Sequence, residues 1–218
     1  MSEVLIEAAY GDVEADELLD LDAPAWQEAD SAQVPLKPTP LDSQPSAYVQ
    51  VSWADKARGA VESAEVKALH TTRYLAVWLS WSQASPVRGI DDHNSFADAC
   101  AVLFPADGKH AELETMGSDA EPVAGWYWRA GTATPYEISA HGLGTVTRAE
   151  ASGVRAAARW AYGRWQVVMM RRIDQGLPSM VGVFEIPLAV AVWCGDHDER
   201  AGLKSYSPAF SRLQLMGG

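Results

Sequence analysis

Between Tyr74 and Trp81 apolar positions fall on alternate residues, with Leu75, Val77, Leu79 and Trp81 on one face, and this period of two predicts a half-buried β-strand. Residues Ala156–Tyr162 and Trp165–Arg172 flank Gly163-Arg164 and predict a hairpin with a tight turn. Leu188–Trp193 reads as a buried strand and Phe210–Met216 as a closing one. Short helical stretches are expected at Asp55–Ala68 and Ser95–Ala101. Gly- and Pro-bearing loops separate these segments, without any repeated strand–helix alternation. The expected fold is therefore mainly β: an antiparallel β-sandwich of two packed sheets with a few short helices.

Residues 1–47 break the pattern. They are acidic, and Pro24, Pro35, Pro38, Pro40 and Pro45 interrupt regular structure, so this stretch is expected to be an extended arm wrapping its own domain or a partner. Leu19, Leu21, Ala25 and Trp26 are its apolar anchors. The sandwich domain is then residues 48–218. A chain of 218 residues is long enough for one domain with a sizeable core.

Composition narrows the partners. The net charge of −12 and pI near 4.7 argue against a nucleic-acid backbone as ligand, because like charges repel. The longest apolar run, Ile186–Cys194, is too short to span a bilayer and contains Pro187. The acidic N-terminus lacks the basic and apolar regions of a secretory signal, which on its own suggests the cytoplasm. Cys100 and Cys194 lack metal-site spacing and read as buried free thiols, and no CxxCH motif for covalent haem attachment occurs. Nine tryptophans fit three uses: a flat cofactor pocket, a sugar-stacking platform, or simply a Trp-rich core.

Common catalytic signatures are absent: the chain has no GxSxG, P-loop, HExxH or GxGxxG. His70, His93, His110, His141 and His197 are scattered and read as surface or loop residues rather than ligands. Asp91-Asp92-His93-Asn94 is read as a turn cluster, and Asp196, Asp198 and Glu199 beside His197 as a solvated turn rather than a calcium site. Gly142-Leu143-Gly144 is too short to be a glycine-rich binding loop.

Two segments carry more. One runs from Thr115-Met116-Gly117 through Pro122-Val123 to Trp126-Tyr127-Trp128-Arg129, and the other from Ala189–Trp193 to Glu199-Arg200 and Gly202-Leu203-Lys204-Ser205. With Leu18–Trp26, Asn94-Ser95-Phe96 and Phe104-Pro105 in order, nearly the whole chain resembles the haem b (gamma) subunits of type II dimethyl-sulfoxide-reductase-family molybdoenzymes. The likeness is strongest to the branch containing ethylbenzene dehydrogenase and steroid side-chain (C25) hydroxylases.

The resemblance implies a haem b at one end of the sandwich, held through its iron by Met116 and Lys204 as axial ligands. Both axial positions would then be filled, so the chain would move electrons without catalysing a reaction itself. It also implies a heterotrimer with an iron–sulfur (beta) subunit and a catalytic (alpha) subunit carrying a molybdenum bis-pterin cofactor, with a soluble cytochrome c-type acceptor. A periplasmic location follows if the complex is co-translocated by a signal on a partner. Because Trp126, Tyr127 and Trp128 alternate, Trp126 and Trp128 are expected to face the macrocycle, with Arg129 or Arg200 on a propionate. Three alternatives stand beside this reading: a carbohydrate-binding β-sandwich, the gamma subunit of a chlorate-, selenate- or dimethylsulfide-type enzyme, and a free-standing haem domain docked to another dehydrogenase.

Overall fold

The alternating segments do become strands. A computed structural model describes residues 3–89, 96–132, 134–175 and 182–217. Its strands are β1 (Leu5–Tyr10), β2 (Ala32–Pro35), β3 (Lys37–Pro38), β4 (Ser63–His70), β5 (Tyr74–Ser82), β6 (Ala99–Pro105) and β7 (Val123–Arg129). There follow β8 (Tyr136–Ala140), β9 (Thr147–Arg148), β10 (Arg155–Ala161), β11 (Arg164–Arg172), β12 (Glu185–Trp193), β13 (Ser205–Tyr206) and β14 (Ser211–Leu215). Three short helices, α1 (Ala15–Leu18), α2 (Pro24–Glu28) and α3 (Ala47–Ser52), lie in the N-terminal quarter.

Hydrogen bonding runs β10-β11-β5-β4-β1-β14-β12-β6-β7-β8-β9. The path folds into two layers at β12. Residues Glu185–Leu188 pair with β14, whereas Ala189–Trp193 pair with β6. Strands β10, β11, β5, β4, β1 and β14 with the first half of β12 form the first sheet, and the second half of β12 with β6, β7, β8 and β9 forms the second. Pairing is antiparallel except at β1, which lies parallel to both β4 and β14.

Three apolar layers follow from the two faces of each sheet. Leu75, Val77, Leu79, Trp81, Val167 and Met169 of the first sheet meet Cys100, Val102, Phe104, Trp126, Trp128, Val190 and Val192 of the second, forming the core between them. The outer face of the first sheet, with Ala76, Trp78, Val168 and Met170, is covered by Leu18, Ala23 and Trp26 of the N-terminal segment. The outer face of the second sheet packs Ala99, Ala101, Leu103, Ala189, Ala191 and Trp193 against Leu113, Met116 and Tyr206. Strands β6 and β12 are thus buried on both faces, which is why they read as continuous apolar runs rather than alternating ones.

The structure differs from the sequence expectation in four places. Residues 1–47, expected as an extended arm wrapping this domain or a partner and broken by prolines, contain regular elements packed on the domain: β1 sits inside the first sheet, while α1 and α2 cap its outer face. The helix expected over Asp55–Ala68 is instead β4 from Ser63 onward, because Ala64, Val66 and Ala68 are buried at an alternating period and pair with β5. Ala99–Ala101, expected to be helical, opens β6; Ser95 and the Asp91–Asn94 cluster lie outside the described residues. In the β10–β11 hairpin the turn is Tyr162-Gly163, one residue earlier than expected, with φ of 52° and 73° as a two-residue primed turn requires.

Candidate functional site

A cleft of about 410 Å³ opens on the outer face of the second sheet, within the usual range for a small-molecule or cofactor site. Register explains its walls. Cross-strand partners in an antiparallel sheet point to the same face. One row joins Ala191, Ala101, Tyr127 and Tyr136, and the next joins Ala189, Leu103, Gly125 and Ile138. The central strands therefore contribute small side chains, and larger ones rise around them: Tyr127, Tyr136, Ile138 and Trp193. Tyr127 lies 5.1 Å from Tyr136 and 5.4 Å from Trp193, ring centre to ring centre, making a continuous aromatic wall. Pro45, Ser46 and Val49 close one side, and Leu143, Gly144 and Val146 the rim.

Met116 reaches this wall from the loop before β7 and is 2% exposed. Its φ is +60°, a left-handed conformation that a long apolar side chain rarely adopts without support. The loop supplies that support. Met116 N–H donates to Leu113 and Gly117 N–H to Glu112 at 2.7 Å, while Gly142 N–H donates to the Met116 carbonyl at 3.1 Å. Gly117 (φ +79°) must be glycine, since a Cβ there would stand 2.6 Å from the Glu121 carbonyl oxygen.

Lys204 approaches from the segment before β13. Ser205 pairs with Val192, so Lys204 comes opposite Trp193 on the cavity face. It is 2% exposed, and its Nζ sits 5.5 Å from the Trp193 ring centre. Among the described residues it has no carboxylate partner and no side-chain hydrogen bond. Burial alone lowers its pKa from 10.5 to about 8. The backbone here is fixed: Thr39 N–H donates to the Lys204 carbonyl at 3.0 Å, Gln44 Nε2 to Gly202, and Trp193 Nε1 to Ala201.

The structure thus brings Met116 and Lys204 together on one cavity. It does not place Trp126 and Trp128 there. Alternation holds along β7, but with the opposite parity: Trp126 and Trp128 point into the core between the sheets, and Tyr127 faces the cleft. Arg129 stands opposite Ala99 on the cavity face yet does not line the cleft. Arg200 stacks on Phe96 at 4.3 Å. Glu199 is no solvated turn residue. It is 1% exposed, and its carboxylate accepts from Gly59, Ala60 and Cys194 N–H groups at 2.6, 3.1 and 2.9 Å. Cys100 and Cys194 are free and buried, as expected.

A family model described as ethylbenzene dehydrogenase matches residues 23–153. The chain belongs to the ethylbenzene dehydrogenase family. The matched span contains Met116, Tyr127 and Tyr136 and ends before Trp193 and Lys204. Three curated relatives extend the likeness over more of the chain. A Haloferax mediterranei protein named as a respiratory nitrate reductase heme subunit is 34% identical over 80% of this chain and 62% of its own length. Chlorate reductase subunit gamma of Ideonella dechloratans is 30% identical over 88% and 78%. Dimethylsulfide dehydrogenase subunit gamma of Rhodovulum sulfidophilum is 31% identical over 65% and 56%. The chain therefore spans less than two thirds of two of these relatives.

Solved structures share the fold of this ethylbenzene dehydrogenase family member at 10% identity. They include a family 9 carbohydrate-binding module of Caldicellulosiruptor kristjanssonii in complex with glucose (TM-score 0.55, covering 98% of this chain and 96% of that one). A protein from Bacteroides uniformis named as carbohydrate-binding gives 0.56, over 99% and 100%. At that identity the likeness shows the β-sandwich architecture alone.

Proposed function

We propose that this chain is the electron-transfer haem b subunit of a molybdenum–iron–sulfur oxidoreductase, with the haem in the cleft between Met116 and Lys204. The observation that carries this reading is the meeting of those two side chains, distant in sequence, on one apolar cavity. The residues present fit the group. A thioether is a soft neutral donor, and a buried amine without a counter-ion loses its proton more readily than an exposed one. Tyr127, Tyr136 and Trp193 form flat walls suited to packing on a macrocycle. A haem there supplies one-electron exchange.

The side chains decide what the site cannot do. Met116 and Lys204 would hold the iron of a haem bound here, and a thioether and an amine so engaged would leave substrate and oxygen no donor position to take. Catalysis accordingly lies in another subunit. We assign the partners as an iron–sulfur subunit feeding electrons from a molybdenum subunit and a cytochrome c-type acceptor, in keeping with the gamma subunits among the relatives. No helix among the described residues is long and apolar enough to cross a membrane. Periplasmic placement by co-translocation with a partner completes the reading. The substrate class we favour is a hydrocarbon or steroid side chain, the hydrocarbon in keeping with the family's description as ethylbenzene dehydrogenase.

A sugar-binding role is supported less well. Eight of the nine tryptophans are buried and Trp160 is half-buried, so the tryptophans form no exposed stacking platform of their own.

Purified full-length chain loaded with haem b should show a six-coordinate low-spin spectrum. Met116→Ala and Lys204→Ala should each abolish that spectrum or shift the reduction potential by tens of millivolts or more. Unchanged spectra and potentials in both variants would remove these residues as ligands.

A further inference from the structure

Haem b bears two carboxylates on one edge, and a cleft walled by apolar side chains cannot bury them unpaired. They must lie at an opening where a cation can meet them. Arg148 does not itself line the cleft but lies against Tyr136, which does. Arg148 in β9 is the cross-strand partner of Ile138, so its side chain emerges on the same face as Ile138 and Tyr136, both of which line the cleft. Its guanidinium carbon lies 4.2 Å from the centre of the Tyr136 ring. Arg148 is exposed, and next to it Val146, 51% exposed, marks the mouth of the cleft.

Two neighbouring charged groups are already paired. Glu137, between Tyr136 and Ile138, points to the opposite face and pairs with Arg171 at 3.1 Å. His141 faces Asp119 at 3.8 Å. Arg148 has no ion pair and no side-chain hydrogen bond among the described residues. Stacking on Tyr136 holds the planar fork at the rim while leaving its N–H groups open to a carboxylate.

We propose that Arg148, stacked on Tyr136 at the mouth of the cleft, is the cation that clamps a propionate of the bound macrocycle and fixes its orientation. The inference rests on the haem reading of the cleft. It makes Arg148 a positioning residue, distinct from the iron ligands.

The test compares two cofactors in the full chain: haem b, and haem b with both propionates converted to methyl esters. Transfer of each to apomyoglobin is timed from wild type and from Arg148→Gln. Loss of a charge-assisted pair should release haem b about tenfold faster from the variant. The diester, having no carboxylate to lose, should leave both proteins at the same rate. Arg148→Lys should fall between wild type and Arg148→Gln with haem b. Equal haem b release from wild type and Arg148→Gln would overturn the inference. So would acceleration of both cofactors alike, which would mark a role in packing only. A wild-type chain that takes up neither cofactor would overturn the haem reading itself, and this inference with it.

Discussion

A lysine amine walled off from water without a counter-ion is costly while it carries its proton, and the cost belongs to the folded state alone. Burial lowers the Lys204 pKa to about 8, whereas in the unfolded chain it returns to its ordinary 10.5. Below pH 8 both states are protonated and the folded state bears the full penalty. Between about 8 and 10.5 the folded amine is neutral while the unfolded one still binds its proton. The unfolded state then holds more protons, so stability of the haem-free chain rises with pH across that window, by about 3 kcal/mol at 1.36 kcal/mol per unit. Lys204→Met should be more stable than wild type at pH 7 and should lose the rise. Urea denaturation of both haem-free proteins at pH 7 and pH 10 measures it, and a constant gap between them would refute the buried-amine account. Glu199 differs in having partners: its buried carboxylate accepts from three backbone N–H donors, although burial still raises its pKa above the ordinary carboxylate value. Glu199→Ala strands those donors and should cost about 3 kcal/mol, read as a lower thermal midpoint. Neither residue was legible from local pattern. Lys204 is one of 17 basic residues, and only the Gly-Leu-Lys-Ser frame within the family resemblance set it apart. Glu199 looked like part of a polar turn, because the loop at Gly59-Ala60 that closes over it is distant in sequence.

At the scale of elements, the sequence pattern exposed β5, β7, β10, β11, β12 and β14 but could not give their sense. Along β7, Trp126 and Trp128 were separable from Tyr127, yet sequence alone did not say which face met the cleft. The two larger aromatics took the core, where they bury more surface, and the tyrosines took the wall. Strand β4 was hidden because Ala64, Val66, Lys67 and Ala68 suit a helix about as well as a strand, and pairing with β5 decided between them. The β10–β11 hairpin was legible, and its turn carries a correctable flaw. Tyr162 is fully exposed with φ of 52°, a conformation that Asn tolerates better than Tyr. Tyr162→Asn should raise stability by about 0.5–1 kcal/mol, seen as a higher urea midpoint with unchanged slope. The N-terminal segment shows the reverse dependence. Trp26 is 3% exposed, packs in the layer with Trp78 and Met170, and donates Nε1–H to the Leu18 carbonyl at 3.1 Å. Trp26→Ala should cost about 3–5 kcal/mol. A near-neutral effect would mean that the segment does not hold the domain together through this contact.

Across the whole molecule, four layers run from the N-terminal helices through the first sheet and the second sheet to the loops around the cleft. The cleft lies on the outermost face, so a flat redox group held there sits close to the surface, where an external partner can approach. Charge then governs the encounter. The chain carries −12, and summed charge of that size attracts a basic protein over distances set by salt. Under the proposed function, a basic c-type cytochrome should oxidise the reduced haem-loaded chain in a second-order reaction steered by this field. The rate constant should fall about tenfold as ionic strength rises from about 10 to 200 mM, because screening shortens the reach of the attraction. An acidic cytochrome of similar potential should show the opposite trend, speeding up with salt as repulsion is screened. Stopped-flow mixing across a salt series measures both. If neither rate responds to salt, the negative surface is not what meets the acceptor, and encounter is governed by apolar contact around the cleft mouth, where Tyr48, Val51 and Val146 are exposed.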